Sequence, residues 1–85
     1  MALYNSDMTQ LYAHVHGDNA TIFTIKSSVQ AIAGQAFSGS NNLYEFIYEG
    51  TLEELKVLLS NSSTNWNEGI TGKIITCTDG TYTIQ

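Results

Sequence analysis

Two histidines and an aspartate crowd one short stretch, His14-Val15-His16-Gly17-Asp18. Side chains two apart on a strand share a face, so His14 and His16 would project together. Asp18 could return toward them from the turn chemistry of Gly17-Asp18-Asn19. Two imidazoles and a carboxylate make a ligand set for zinc or iron(II). The chain has no third histidine to complete such a site. Strand faces alternate as a matter of course, so the expectation is two solvent-facing histidines beside a turn. No metal or other cofactor is expected, with His14, His16 and Asp18 as the candidate ligands if one binds.

The spacing resembles the H-x-H-x-D-H signature of metallo-β-lactamase-like hydrolases over six residues. Asn19 stands at the sixth position, and 85 residues are too few for that fold. The other nucleophile is Cys77, alone in the chain. A reactive thiol needs a neighbouring base and a positive setting. Cys77 instead falls on the inward face of a terminal hairpin, as a buried structural thiol does. There is no G-x-S-x-G elbow, P-loop or glycine-rich dinucleotide turn. No enzyme is expected.

Charge narrows the alternatives. There is no arginine, and Lys26, Lys56 and Lys73 face eight carboxylates. Gripping phosphate or reading DNA takes clustered Lys or Arg, so direct nucleic-acid binding is not expected. Four acids, Glu45, Glu49, Glu53 and Glu54, precede the next cation at Lys56. Such a run is either a solvated surface or a patch that meets a basic protein. Tryptophan is enriched at binding hot spots, so Trp66 in its Asn/Ser-rich loop is either a lid on the core or an anchor. Tyr44 and Tyr48 share that ambiguity, along with Tyr12.

The elements that must position these residues follow from periodicity. Residues 1–9 are expected to be loose or to add an edge strand. Alternation of Leu11, Ala13 and Val15 with Tyr12, His14 and His16, then Thr21 to Ile25, predicts a hairpin over 10–26. A helix capped by Ser27 or Ser28 is predicted from Val29, Ile32, Ala33, Ala36 and Phe37, one apolar stripe at helical spacing. Leu43 to Glu49 reads as a strand with Tyr44, Phe46 and Tyr48 toward the core and Glu45 and Glu49 away from it. Thr51-Leu52-Glu53-Glu54 is a capping box opening a second helix, with Leu52, Leu55, Leu58 and Leu59 as its buried stripe. Asp79-Gly80 between β-branched runs predicts a hairpin with a type I′ turn, Cys77 opposite Tyr82 and Ile75 opposite Ile84.

The predicted class is α+β: one domain over 1–85, order β-β-α-β-α-β-β, a mostly antiparallel sheet with two helices on one face. No internal repeat is legible. No apolar run approaches the ~18 residues that span a bilayer, and the lone cysteine suits a reducing cytoplasm. Small acidic chains of this kind are similar in size and charge to phage anti-defence proteins, including anti-CRISPR proteins, and to toxin-neutralising immunity proteins. The expected function is therefore a non-catalytic protein-binding inhibitor that occludes a basic, nucleic-acid-handling partner, with Glu45, Glu49, Glu53, Trp66, Tyr44 and Tyr48 at the contact. The alternative is a homo-oligomeric accessory subunit, a homodimer formed through the uncharged edge strand Thr81 to Gln85.

Overall fold

The structure is a computed structural model that describes residues 2–14 and 19–85. Among the described residues, seven strands and one helix follow in the order β1 (Ala2–Tyr4), β2 (Gln10–His14), β3 (Ile22–Ile25), β4 (Ala31–Ile32), β5 (Glu45–Tyr48), α1 (Leu52–Ser60), β6 (Ile74–Thr76) and β7 (Thr81–Thr83). The α+β class holds, but the strand order and the helix count differ from expectation.

The chain winds rather than zigzags. One sheet has the order β1-β2-β4 and the other β3-β5-β6-β7. The β2–β4, β3–β5 and β5–β6 pairings are parallel, and the β1–β2 and β6–β7 pairings are antiparallel. Each pass of the chain lays one segment against the first sheet and one in the second, and the next pass stacks on it. Phe23 faces Phe46, and Phe46 faces Ile75. On the other side Leu11 faces Ile32, and Ser63 donates its backbone N–H to the Ile32 carbonyl. The result is a short stack of three coils, a structural repeat that the sequence hides. Its period is not constant, because α1 is inserted between β5 and β6 alone.

Two predicted elements are corrected by this winding. Residues 10–26 are not a hairpin, because β2 and β3 lie in different sheets. Residues 27–37 are not a helix. Their backbone groups bond sideways: the N–H groups of Gln30 and Ala31 donate to the Thr9 carbonyl, Ala33 N–H donates to the Leu11 carbonyl, and the Ala36 carbonyl accepts from His14 N–H. Gln35 takes a left-handed φ of 58°, which no α-helix tolerates. The apolar stripe still marks the core, since Val29, Ile32, Ala36 and Phe37 are all buried.

The last hairpin forms with its turn one residue early. Ile75 faces Tyr82 and Thr76 faces Thr81, and Cys77 N–H donates to the Gly80 carbonyl at 2.8 Å. Neither Asp79 nor Gly80 has a positive φ, so the expected type I′ turn is absent. Each residue's partner moves by two positions, which preserves the face in a period-two strand. Ile75, Cys77 and Ile84 therefore remain buried, and Thr76, Thr78, Thr81 and Thr83 remain exposed. Residues 2–4 take the edge-strand option, held by a turn in which Asn5 Oδ1 accepts from the N–H groups of Thr9 and Gln10.

The core is knit across coils by aromatic rings. Phe37 meets Phe23 at 5.3 Å, Phe46 at 5.4 Å and Trp66 at 6.4 Å between centroids, each edge-on. That geometry places positive ring edges on negative ring faces.

Candidate functional site

The structure divides the candidate residues among three places. His14 is inside the protein. Its ring is buried, Nδ1 lies 2.9 Å from Ser40 Oγ, and it packs edge-on against Phe23 at 5.6 Å. The cause is a β-bulge. Ala2 faces His14 and Leu3 faces Ala13, but Tyr4 faces Leu11, so Tyr12 is an extra residue in β2. One extra residue swings everything after it to the other face, and the solvent-facing histidine becomes a core residue. His16 and Asp18 lie outside the described residues. Among the described residues, no three His, Cys, Asp or Glu side chains are grouped so that they could hold a metal ion. Cys77 is buried too, and burial first, then the charge of Asp79, pushes its thiol above the ordinary range. A raised thiol is a poor nucleophile at neutral pH.

The second place is the outer face at the start of β5. Tyr44 is 71% exposed. Lys73 Nζ sits 5.3 Å above the centre of its ring and also donates to the Leu43 carbonyl. Glu45 is exposed, opposite exposed Ile22. Tyr44 thus points away from the core, whereas the sequence grouped it with Phe46 and Tyr48. Trp66 belongs to neither place, because its ring is buried against Phe37.

The third place is the far end of β5, about 13 Å along the strand from Glu45 at the usual strand rise. Glu49 follows the last residue of β5, and its Oε1 accepts the Ser27 N–H at 3.1 Å. Glu53 and Glu54 occupy the first turn of α1. The capping box is fully formed. Thr51 Oγ1 accepts the Glu54 N–H at 3.2 Å, and Glu54 Oε1 accepts the Thr51 N–H at 2.8 Å. A contact invisible in the sequence adds to it: Asp79, from the last hairpin, accepts the Leu52 N–H at 2.8 Å. Acids from two separate segments, Glu53 and Glu54 of the helix itself and Asp79 of the last hairpin, thus meet at the positive end of one helix dipole.

Behind this corner lies an open cleft of about 390 Å³ between α1 and the segment leading into β4. Val29, Val57 and Leu58 form its apolar walls. Glu54, Asn61, Gln30 and the Tyr48 ring supply polar groups. Gly50 makes the arrangement possible. A Cβ there would stand 2.7 Å from the Tyr48 ring and 2.8 Å from Glu54 Oε1. Burial raises the Tyr48 phenol above its ordinary value, and the Glu54 charge raises it further. Sequence reasoning missed the cleft because its walls come from two coils that pair only in the folded chain. The stripe Glu54, Val57, Leu58 and Asn61 was the one available signal.

No known protein family, curated protein or solved structure matches this chain. Among the described residues, no helix is long and apolar enough to cross a membrane.

Proposed function

We propose that this chain is a non-catalytic protein-binding module that covers a basic surface of its partner, in the manner of an inhibitor acting by occlusion. The supporting observation is that Glu53, Glu54 and Asp79 meet at the first turn of α1 beside an open cleft, with Glu49 two residues before the Thr51 cap. The chain holds only three cations against eight acids. A surface of this sign steers encounter with a cationic protein and repels nucleic-acid phosphate. Tyr44 and Glu45 lie at the other end of β5 and form at most a separate rim.

The test uses the whole chain as bait, followed by titration of the captured partner at several salt concentrations. Glu49→Lys with Glu53→Lys is expected to weaken binding by about tenfold or more and to flatten its salt dependence. Glu45→Lys alone is expected to change it far less. Unaltered affinity and salt slope in the double reversal would remove the acidic corner as the contact.

Self-association is the alternative that one observation favours. β7 ends its sheet without a charged residue, and beyond its pairing with β6 its Thr83 carbonyl accepts from Gln85 Nε2 at 3.1 Å. Uncharged edges invite strand pairing. Light scattering at rising concentration separates a growing mass from a constant monomer.

A further inference from the structure

We infer that the cleft between α1 and the entry to β4 is a receptor for a single arginine side chain presented by a protein partner. This inference rests on the proposed binding to a basic protein and names the group that the acidic corner admits.

The lining specifies the occupant. Among the described residues, Glu54 is the one charged residue in it, and none of the three lysines lines it. Only Oε1 of Glu54 is engaged among the described residues, by the backbone and hydroxyl of Thr51. Oε2 remains available on the same carboxylate. Tyr48 is 4% exposed, lines the cleft, and among the described residues has no hydrogen-bond partner for its hydroxyl. Its oxygen is not among the buried atoms that lack a partner, so it opens onto the cleft, where a donor that enters can reach it. The side-chain amides of Gln30 and Asn61 are likewise uncommitted among the described residues.

Arginine matches this set in shape and sign. Its planar guanidinium carries five donors and no acceptor. It can donate to Glu54 Oε2, the phenol oxygen of Tyr48 and the amide oxygens of Gln30 and Asn61, and it stacks on an aromatic face. Its methylene stem needs apolar cover, and Val29, Val57 and Leu58 provide it. Lysine offers the same charge but a compact head that reaches fewer of these acceptors at once. A phosphate, carboxylate or nucleic-acid backbone is refused by the fixed charge of Glu54.

The experiment titrates the isotope-labelled full chain with N-acetyl-arginine amide, followed by backbone amide NMR. N-acetyl-citrulline amide, nearly isosteric and neutral, and N-acetyl-lysine amide are the comparison arms. Saturable shifts are expected at Val29, Gln30, Val57, Leu58 and Asn61 with arginine, smaller ones with lysine and none with citrulline. Glu54→Gln should weaken arginine binding by about tenfold or more. Glutamine can still close a capping box, and an unchanged melting curve certifies the fold. Tyr48→Phe, which keeps the ring and removes the hydroxyl, should weaken it less. Equal shifts with citrulline, arginine binding indifferent to Glu54→Gln, or shifts confined to other residues would each overturn the inference. Arginine binding in the cleft, together with a captured partner indifferent to Glu49→Lys/Glu53→Lys, would overturn the acidic corner as the contact and leave the cleft standing. The converse pair of results would do the opposite.

Discussion

Segments 27–37 and 51–60 carry the same kind of apolar stripe, yet only the second is a helix. The second brings its own instructions. Thr51 and Glu54 close a capping box, Leu, Glu and Lys are strong helix formers, and no glycine interrupts them. The first has Gly34 in its interior, β-branched Val29 and Ile32, and a left-handed Gln35. Its alanines favour a helix, but its backbone finds bonds with the coil on either side, to Thr9 and Leu11 on one and to Ser63 and Asn65 on the other. Local signals prevail where the ends are capped, and lateral pairing prevails where they are not.

The largest expected effect tests the laterally held segment. Phe37 is fully buried and touches three other aromatic rings from three parts of the chain. Phe37→Ala should cost about 3–5 kcal/mol, seen as a loss of most of the stability in a urea titration. Ring packing edge-on would add to the area term. A cost below about 1 kcal/mol would mean that the coils are held by backbone pairing alone, since burial of a phenylalanine is worth more than that. Gly50→Ala comes next, because its Cβ must displace the Tyr48 ring or Glu54. An overpacked site of this kind costs about 1–3 kcal/mol. The same variant should narrow the cleft, so a drop in stability is expected alongside weaker arginine binding.

What the letters revealed follows the same division. The capping box, the burial of Leu55 and Leu58 in α1, the buried stripe of 27–37 and the exposed threonines of the last hairpin were legible, because each depends on neighbours within a few positions. The parallel pairing of β3, β5 and β6 was not, since its partners lie whole coils apart and α1 destroys any fixed period. The inward turn of His14 was hidden for a subtler reason. Period-two alternation assumes an unbroken strand, and the bulge at Tyr12 breaks it. Of the candidate contact residues, Glu53 shares the first turn of α1 with Glu54 and Glu49 reaches Ser27, while Tyr44 and Glu45 sit at the opposite end of β5 and Trp66 and Tyr48 are buried. Nearness in sequence grouped them, and the extended strand separated them.

The locally held segment is expected to show a smaller penalty. Thr51→Ala removes the acceptor for the Glu54 N–H and should cost about 1 kcal/mol. Asp79 still accepts at Leu52, so the helix should shorten at its start without melting. Circular dichroism should show little loss of helix, and the contrast with Phe37→Ala is the point of the measurement.

The smallest expected effect appears only in alkali. The phenols of Tyr4 and Tyr48 are both raised above the ordinary value of 10.0, first by burial and then by Glu49 and Glu54 respectively. A raised phenol favours the folded state while it is neutral. Between the unfolded and folded pKa values the folded chain binds more protons, so stability falls with rising pH there. The contribution is whole below pH 10 and declines as pH climbs from 10 through the folded values. Glu54→Gln removes one cause of the Tyr48 shift and none of the Tyr4 shift. Its tyrosinate absorbance should therefore rise at lower pH than in the parent chain, by the share that belongs to one phenol. If the whole curve were to stay in place, the Glu54 carboxylate would not be close enough to the ring to serve as one wall of a shared cleft.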